Sequence, residues 1–167
     1  MFNRDFVAQF PEELFLNGDE LSVNAVHFEN QILLQIRFNG EMDTTYEVSQ
    51  KGLRSANFGA PLAGQGELSF PEEEDGDNFD FTKDNLSDYE VVTKLGNSND
   101  MKLPVICTQI SELFQRVILP SINQSTEGKS YLITTSSKIW RDSNNESNTK
   151  DFNKLVFVLK CVKNMYQ

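Results

Sequence analysis

Histidine and cysteine are scarce in this chain. Its 167 residues include one histidine, His27, and two cysteines, Cys107 and Cys161. A single histidine excludes a metal site built from several imidazoles. The cysteines lie in separate apolar segments and form no C-x-x-C pair, so we expect two reduced thiols in the core of a cytosolic or nuclear protein, and no disulfide framework.

Long apolar runs are also absent. No stretch approaches the roughly 18 consecutive apolar residues of a transmembrane helix. Near the N-terminus, Asp5, Pro11, Glu12 and Glu13 interrupt the segment where a signal peptide needs an apolar centre. We therefore expect a soluble protein that is not secreted, located in the cytoplasm with the nucleus as a second compartment.

Basic residues are outnumbered, and the acidic excess is local. The chain has 15 lysines and arginines against 25 acidic residues, a formal charge of -10. Residues 67–90 hold ten of those acidic residues and one lysine, so the rest of the chain is almost neutral. A neutral body offers no basic surface for phosphates, which argues against binding to nucleic acid or anionic membranes. A basic protein partner remains compatible with this pattern.

The remaining sequence shows strand and helix patterns. Alternating apolar residues predict three successive antiparallel strands, with a hairpin at Asn39-Gly40 between the second and third. Further strands are expected at residues 3–10, 89–95 and 129–136. The strand residues expected to face the core are Leu21, Val23, Ala25 and His27, then Ile32, Leu34, Ile36 and Phe38, then Met42, Thr44, Tyr46 and Val48.

Two segments have helical periodicity. The first begins near Pro104 and ends at Pro120, with an apolar stripe of Ile106, Ile110, Leu113 and Val117. The second lies at the C-terminus, where the stripe is Phe152, Leu155, Val156, Leu159, Val162 and Tyr166. Additional apolar residues beside this stripe indicate a second layer or a partner. The predicted fold is α+β: a single domain spanning residues 1–167, in which two main helices pack on an antiparallel sheet of about six strands. A long, flexible acidic loop is inserted at about residues 50–88.

No motif predicts catalysis, a cofactor or a metal ion. Residues 75–86 resemble an EF-hand calcium loop only at their first aspartates. Phe79 occupies a ligand position, Asp80 replaces the required glycine, and Leu86 replaces the bidentate carboxylate. His27 lies on a strand face, where a hydrogen-bonded structural role is favoured over catalysis. The sequence therefore indicates a protein that is not an enzyme.

Two candidate partner-binding regions remain. Trp140 is the only tryptophan, and it lies between Lys138 and Arg141. An aromatic residue beside cations is typical of protein interfaces, although a core-capping role for Trp140 is the alternative. The second region is the acidic insertion, whose candidate contact residues are Glu72, Glu73, Glu74, Asp75 and Asp77.

Several long segments resemble the fungal branch of the proteasome assembly chaperone 3 family. They cover most of the chain, and they follow the family's order of elements. The segments are VNAVHFENQILLQIRFNGEMDTTYEVSQKGL (residues 23–53), LSDYEVVTKLG (86–96), LPVICTQISELFQRVILP (103–120), SSKIW (136–140) and KLVFVLKCVKNMY (154–166).

This resemblance implies a function without catalysis, cofactor or nucleotide. It implies that the chain pairs with a structurally similar protein, proteasome assembly chaperone 4. The pair is then expected to bind α subunits of the proteasome core particle, notably the fifth, and to promote correct formation of the α ring. The alternative is an acidic binding module for a basic client such as a histone or a ribosomal protein.

The acidic insertion leads to a kinetic prediction. If its charge assists the encounter with a basic patch on the proteasomal partner, deleting residues 70–86 should slow association at low salt and weaken the salt dependence of the rate. Stopped-flow association of the wild-type and deleted chains tests this expectation. An unchanged association rate at low salt would show that the charge does not steer the encounter.

Overall fold

The computed structural model describes residues 1–14, 18–51, 88–141 and 147–167. The predicted insertion therefore lies almost entirely outside the described residues. The strands are β1 (Phe2–Gln9), β2 (Glu20–His27), β3 (Gln31–Phe38), β4 (Thr44–Gln50), β5 (Tyr89–Leu95) and β6 (Ser130–Thr135). The main helices are α1 (Lys102–Leu113) and α2 (Ser147–Asn164). A π-helical segment (Phe114–Ile118), an α-helical turn (Leu119–Ser121) and a 3₁₀ turn (Ser137–Trp140) complete the elements.

The six strands form one mostly antiparallel sheet, as predicted. Their order across the sheet is β1-β2-β3-β6-β4-β5. Only the pair β3 and β6 is parallel, and every other neighbouring pair is antiparallel. Neither helix is both long and apolar enough to cross a membrane, within the part of the chain that the structure describes.

The predicted hairpin at Asn39-Gly40 forms only as a turn. Asn39 and Gly40 have φ angles of 50° and 83°, and Phe38 and Glu41 exchange two backbone hydrogen bonds of 3.0 Å. Beyond this turn the prediction is wrong, because β3 and β4 do not pair. Strand β6 lies between them, parallel to β3 and antiparallel to β4. The turn residues encode the reversal of the chain, but the neighbour of each strand is set by distant sequence.

One face of the sheet carries the core. Alternate residues of β2, β3, β4 and β6 are buried, while the intervening residues are partly exposed. Helix α1 contacts β4 and β5, α2 contacts β1, and the two helices contact each other. Both cysteines are buried in this core, as expected. The molecule therefore has two layers, with helices on one side of the sheet.

The buried face of α1 departs from the predicted stripe in its second half. Phe114 and Ile118 are buried, whereas Leu113 is only partly buried and Val117 is 41% exposed. Residues spaced by four drift about 40° around an α-helix at each step. The π-helical segment, where the N–H of Leu119 donates to the carbonyl of Phe114, is wider and counters this drift. The predicted stripe was based on the spacing of a uniform α-helix, so it did not include the shift of the buried face at the π-helical segment.

The buried face of α2 is also rotated from the predicted stripe. Phe152 was expected on that face, yet it is 64% exposed. Lys154 instead lies on the buried side and is fully buried. Because both sides of this helix carry apolar residues, periodicity alone does not identify the side that meets the sheet. The residues of α2 and the following turn that are buried are Lys154, Val158, Cys161, Val162 and Met165.

His27 connects three distant parts of the chain. It is 2% exposed, and its ring stacks on Phe2 with 4.2 Å between centroids. The side-chain oxygen of Gln124 accepts from Nδ1 at 3.1 Å, so Nε2 is left to accept from the hydroxyl of Tyr166 at 2.5 Å.

Burial lowers the pKa of His27, and the positive charges of Lys129 and Arg4 lower it further, against the opposing effect of the Gln124 bond. The neutral imidazole is therefore the form that fits the fold.

This histidine should make stability depend on pH. The unfolded chain takes up a proton on His27 near pH 6.5, whereas the folded chain does so only at lower pH. The free energy of unfolding should therefore fall on acidification below that pH, by at most about 1.4 kcal/mol per pH unit from this one site. The variant His27→Gln should be less stable at pH 7.5 but should lose less on going to pH 5.5. Urea unfolding at both pH values measures the two differences, and equal losses in both chains would contradict the assignment.

Candidate functional site

The sheet face opposite the helices is the first candidate surface. We call it the open face, and it consists of the strand residues that alternate with the core residues. No described helix packs on it, because the strand residues in the core cluster with α1 and α2 all belong to the opposite face of the sheet. Its members include Asn3, Asp5, Val7, Ser22, Asn24, Val26, Leu33, Gln35, Arg37, Thr45, Glu47, Val92, Leu132 and Thr134.

An apolar row crosses the middle of the open face. Val26 is paired with Leu33, and Leu33 is paired with Leu132, so three neighbouring strands place these side chains side by side. All three are partly exposed. Val92, which is 37% exposed, lies in the same row beyond Glu47. The row gives the face a central apolar strip.

Polar side chains around this strip are bonded to one another. The amide of Asn24 donates to Oδ1 of Asn3 at 3.3 Å, and Arg37 donates to Gln35 at 2.7 Å. The hydroxyls of Thr45 and Thr134 are 3.0 Å apart, and Lys94 and Glu47 form an ion pair at 3.0 Å. These contacts satisfy part of the hydrogen-bonding capacity of the face, which lowers the cost of covering it.

The second candidate surface surrounds the 3₁₀ turn that follows β6. The carboxylate of Asp43 fixes this turn by accepting from the backbone N–H of Ser137 at 2.7 Å and from its hydroxyl at 2.5 Å. Lys138 forms an ion pair with Glu41. The connection between β3 and β4 thus holds the turn in place and sets the position of Trp140.

The structure brings the three predicted residues Lys138, Trp140 and Arg141 together at this turn. Trp140 is 6% exposed and belongs to the core cluster, which agrees with the core-capping alternative. Lys138 is exposed but paired, while Arg141 is exposed and has no ion-pair partner among the described residues. Contact of these residues with a partner stays a prediction. The other five candidates, Glu72, Glu73, Glu74, Asp75 and Asp77, lie outside the described residues.

Two adjacent pockets lie on either side of Trp140, and we call them together the Trp140 cleft. Lys102 and Trp140 line both pockets. The first is a polar pocket of about 390 Å³, lined also by Asp43, Thr44, Tyr46, Gly96, Asn97, Asp100, Leu103, Ser137 and Arg141. The second is an apolar pocket of about 310 Å³ between α1 and α2, lined also by Val105, Ile106, Asp151, Phe152 and Leu155.

Unpaired polar atoms are concentrated in the Trp140 cleft. Within the described residues, the buried side-chain atoms that lack a hydrogen-bond partner are Oη of Tyr46, Nε1 of Trp140 and Oδ1 of Asp151. All three residues line the cleft. Burial raises the pKa of Tyr46, and the charge of Asp100 adds to the effect. Tyr46 is therefore a neutral hydroxyl, and the three unpaired atoms are buried within the residues that line the cleft.

Sequence reasoning missed two residues of this cleft. Phe152 was assigned to the buried stripe of α2, and Val105 was not singled out, yet they are 64% and 50% exposed. Each lies in an apolar helical segment, where nothing in the local sequence separates an exposed position from a buried one. Only the packing of α1 against α2 identifies them.

The described residues offer little reactive chemistry. Burial raises the pKa of Cys107 to about 12 and that of Cys161 to about 11, so both thiols stay protonated and are poor nucleophiles. In the described ranges, no group of three or more histidine, cysteine or acidic residues could hold a metal ion. The surfaces above are better suited to binding another protein than to catalysis.

Comparison with known proteins agrees with this conclusion. The model of the family described as 20S proteasome chaperone assembly proteins 3 and 4 matches residues 1–163. Proteasome chaperone 3 of Saccharomyces cerevisiae is 54% identical in an alignment 158 residues long, which covers 88% of this chain and 85% of that protein. A chain in the crystal structure of a chaperone complex for yeast 20S proteasome assembly is 48% identical, with a TM-score of 0.69 and full coverage of both chains. This chain therefore belongs to the family of 20S proteasome chaperone assembly proteins 3 and 4.

Proposed function

We propose that this chain is an assembly chaperone for the core particle of the proteasome. It pairs with a proteasome assembly chaperone 4 protein, and the pair binds α subunits, notably the fifth, to promote correct α-ring formation. Family membership supports this proposal, as does the yeast relative, which is named as a proteasome chaperone. The similar solved chain belongs to a complex for 20S proteasome assembly.

The open face is the observation that supports pairing most strongly. Its apolar strip of Val26, Leu33 and Leu132 runs over the three central strands and provides the hydrophobic centre that a stable interface needs. Several polar groups around the strip already have partners within the chain, which lowers the cost of covering them. A second sheet laid on this face would bury the strip, and a related chaperone of the same fold has a sheet to offer.

The proposed mode of action is binding alone. Both thiols are held protonated, and the surfaces with exposed apolar residues resemble protein interfaces. The chaperone would stabilise one arrangement of subunits by the free energy of its contacts, without catalysis or nucleotide. A location in the cytoplasm, with the nucleus as a second compartment, belongs to this proposal.

Affinity purification from native cells tests the proposed function directly. The tagged chain, isolated at moderate salt, should carry one small α+β partner and proteasome α subunits, but few mature β subunits. Mass spectrometry of the bound proteins identifies them. Recovery of histones or ribosomal proteins in place of α subunits would contradict the proposal and favour the acidic binding module.

Pairing through the open face is tested by the substitution Leu132→Lys. In the single chain the new ammonium group would lie beside Glu47, so the fold should tolerate it. In the pair it would be buried, and we expect affinity for proteasome assembly chaperone 4 to fall by about 100-fold or more, because Glu47 is already paired with Lys94 and burying one more charge costs several kcal/mol. Isothermal titration calorimetry measures this loss.

The matched control is Val117→Lys, which places the same charge on an exposed apolar position of the helical layer. It should pair like the wild type. Thermal unfolding monitored by circular dichroism checks that both variants are folded. If folded Leu132→Lys pairs with wild-type affinity, the open face is not the pairing surface.

A further inference from the structure

We propose that Glu47 determines which protein pairs on the open face. The partner presents a lysine or an arginine to the carboxylate of Glu47, whereas a second copy of this chain has no cation at the matching position and pairs much more weakly. This inference rests on the proposed function, because it gives the chemistry of the partner that covers the open face.

Glu47 interrupts the apolar row of the open face. It is paired with Leu132 of β6 on one side and with Val92 of β5 on the other. Neighbouring strands lie about 4.8 Å apart, so the Glu47 side chain is directly beside the apolar strip. Any sheet that covers Leu132 therefore covers Glu47 as well.

Contacts within the chain satisfy only one oxygen of this carboxylate. Oε2 accepts from Nζ of Lys94 at 3.0 Å, whereas Oε1 has no hydrogen-bond or ion-pair partner among the described residues. In the free chain water reaches Glu47, since 32% of its side chain is exposed. A partner that covers the strip removes this water and must replace it.

A cation is the best replacement for the lost water. The N–H groups of lysine and arginine only donate, and their bonds to a carboxylate are roughly twice as strong as bonds between neutral groups. An apolar partner side chain would leave Oε1 unpaired in a dry interface, and an acidic one would add a like charge. Charge complementarity therefore assigns a lysine or an arginine to the partner.

A second copy of this chain supplies no cation at that point. Two identical sheets pack around a two-fold axis, so when their strands are aligned the residue that faces Glu47 comes from the same row or from the same strand. The residues of the row are Asn3, Val26, Leu33, Leu132, Glu47 and Val92, and those of β4 on the open face are Thr45, Glu47 and Ser49. Self-pairing would therefore bury Glu47 without a new partner.

The experiment compares pairing with self-association for the complete chain. Isothermal titration calorimetry measures the dissociation constant with proteasome assembly chaperone 4, and sedimentation equilibrium measures the dissociation constant of the chain with itself. Both are measured for the wild type and for Glu47→Leu. The matched control is Glu13→Gln, which also removes one negative charge, from an exposed position beside α2 on the helical side.

Glu47→Leu should reverse the preference. Its dissociation constant with the partner should rise by about tenfold or more, because the partner's cation then faces an apolar side chain. Self-association should tighten by about tenfold or more, because the substitution lengthens the apolar strip and removes the carboxylate. Lys94 is 49% exposed and keeps its contact with water. The ratio of the two dissociation constants, self over partner, should thus fall by about 100-fold, whereas Glu13→Gln should leave it within about threefold of wild type.

A second variant separates the loss of charge from the gain of apolar surface. Glu47→Gln keeps the shape and polarity of the side chain, so it should weaken pairing without promoting self-association. Thermal unfolding monitored by circular dichroism checks that each variant is folded.

A double-mutant cycle identifies the cation. Each lysine and arginine on the sheet of the partner is replaced in turn by methionine, and each variant is titrated with the wild type and with Glu47→Leu. At one position the loss caused by Glu47→Leu should disappear, because neither chain then carries a charge that lacks its counterpart.

The outcomes separate this inference from the proposed function. If the wild-type chain does not pair with proteasome assembly chaperone 4, the proposed function fails, and this inference fails with it. If the wild type pairs, but Glu47→Leu leaves the ratio unchanged or no partner cation is coupled to Glu47, the proposed function stands and Glu47 does not select the partner.

Discussion

The insertion of β6 between β3 and β4 is the interaction on which the other features depend. Strand β6 is hydrogen-bonded along both edges, to β3 in parallel and to β4 in antiparallel fashion. The carbonyl of its last residue, Thr135, accepts from the N–H of Asp43 at 3.1 Å and from the hydroxyl of Thr44 at 3.0 Å. Without β6, the remaining five strands would separate into a three-stranded sheet, β1-β2-β3, and a two-stranded sheet, β4-β5.

The same strand connects the core to both candidate surfaces. Tyr131 and Ile133 point into the core, where the hydroxyl of Tyr131 donates to Gln115 at 2.5 Å. Leu132 points the other way and forms part of the apolar strip on the open face. The residues that follow Thr135 make the 3₁₀ turn. The carboxylate of Asp43 accepts from the backbone N–H of this turn and so fixes the position of Trp140. A rigid central strand therefore determines the geometry of two surfaces on opposite layers.

Local features of the fold could be predicted from the sequence, whereas long-range ones could not. The alternation in residues 21–27 identified the buried face of β2 correctly, because burial on one side of a strand imposes a period of two. The Asn39-Gly40 turn was also identified, since both residues tolerate positive φ. The neighbour of β3 was predicted wrongly, because β6 is about 100 residues away and no local pattern encodes that pairing.

The same contrast between local and long-range features applies to the candidate site. Trp140, Lys138 and Arg141 could be singled out, since Trp140 is the only tryptophan and an aromatic residue beside cations is typical of protein interfaces. The exposure of Phe152 could not be predicted, because it depends on which side of α2 meets the sheet. The buried side includes Lys154, whose charge would normally place it in solvent. Burial of a lysine in this way is a tertiary effect that composition and periodicity do not reveal.

The proposed function also requires that the chaperone release its client. A protein that acts through binding alone supplies no chemical energy to open its interface, so the complex forms and dissociates according to mass action, and a competing subunit shifts that equilibrium towards release. The open face is committed to the partner chaperone in this scheme. The client must then use another surface, and its release depends on an incoming subunit that competes for that contact. Small contacts suit such a transient client, whereas a large apolar interface suits a lasting pair.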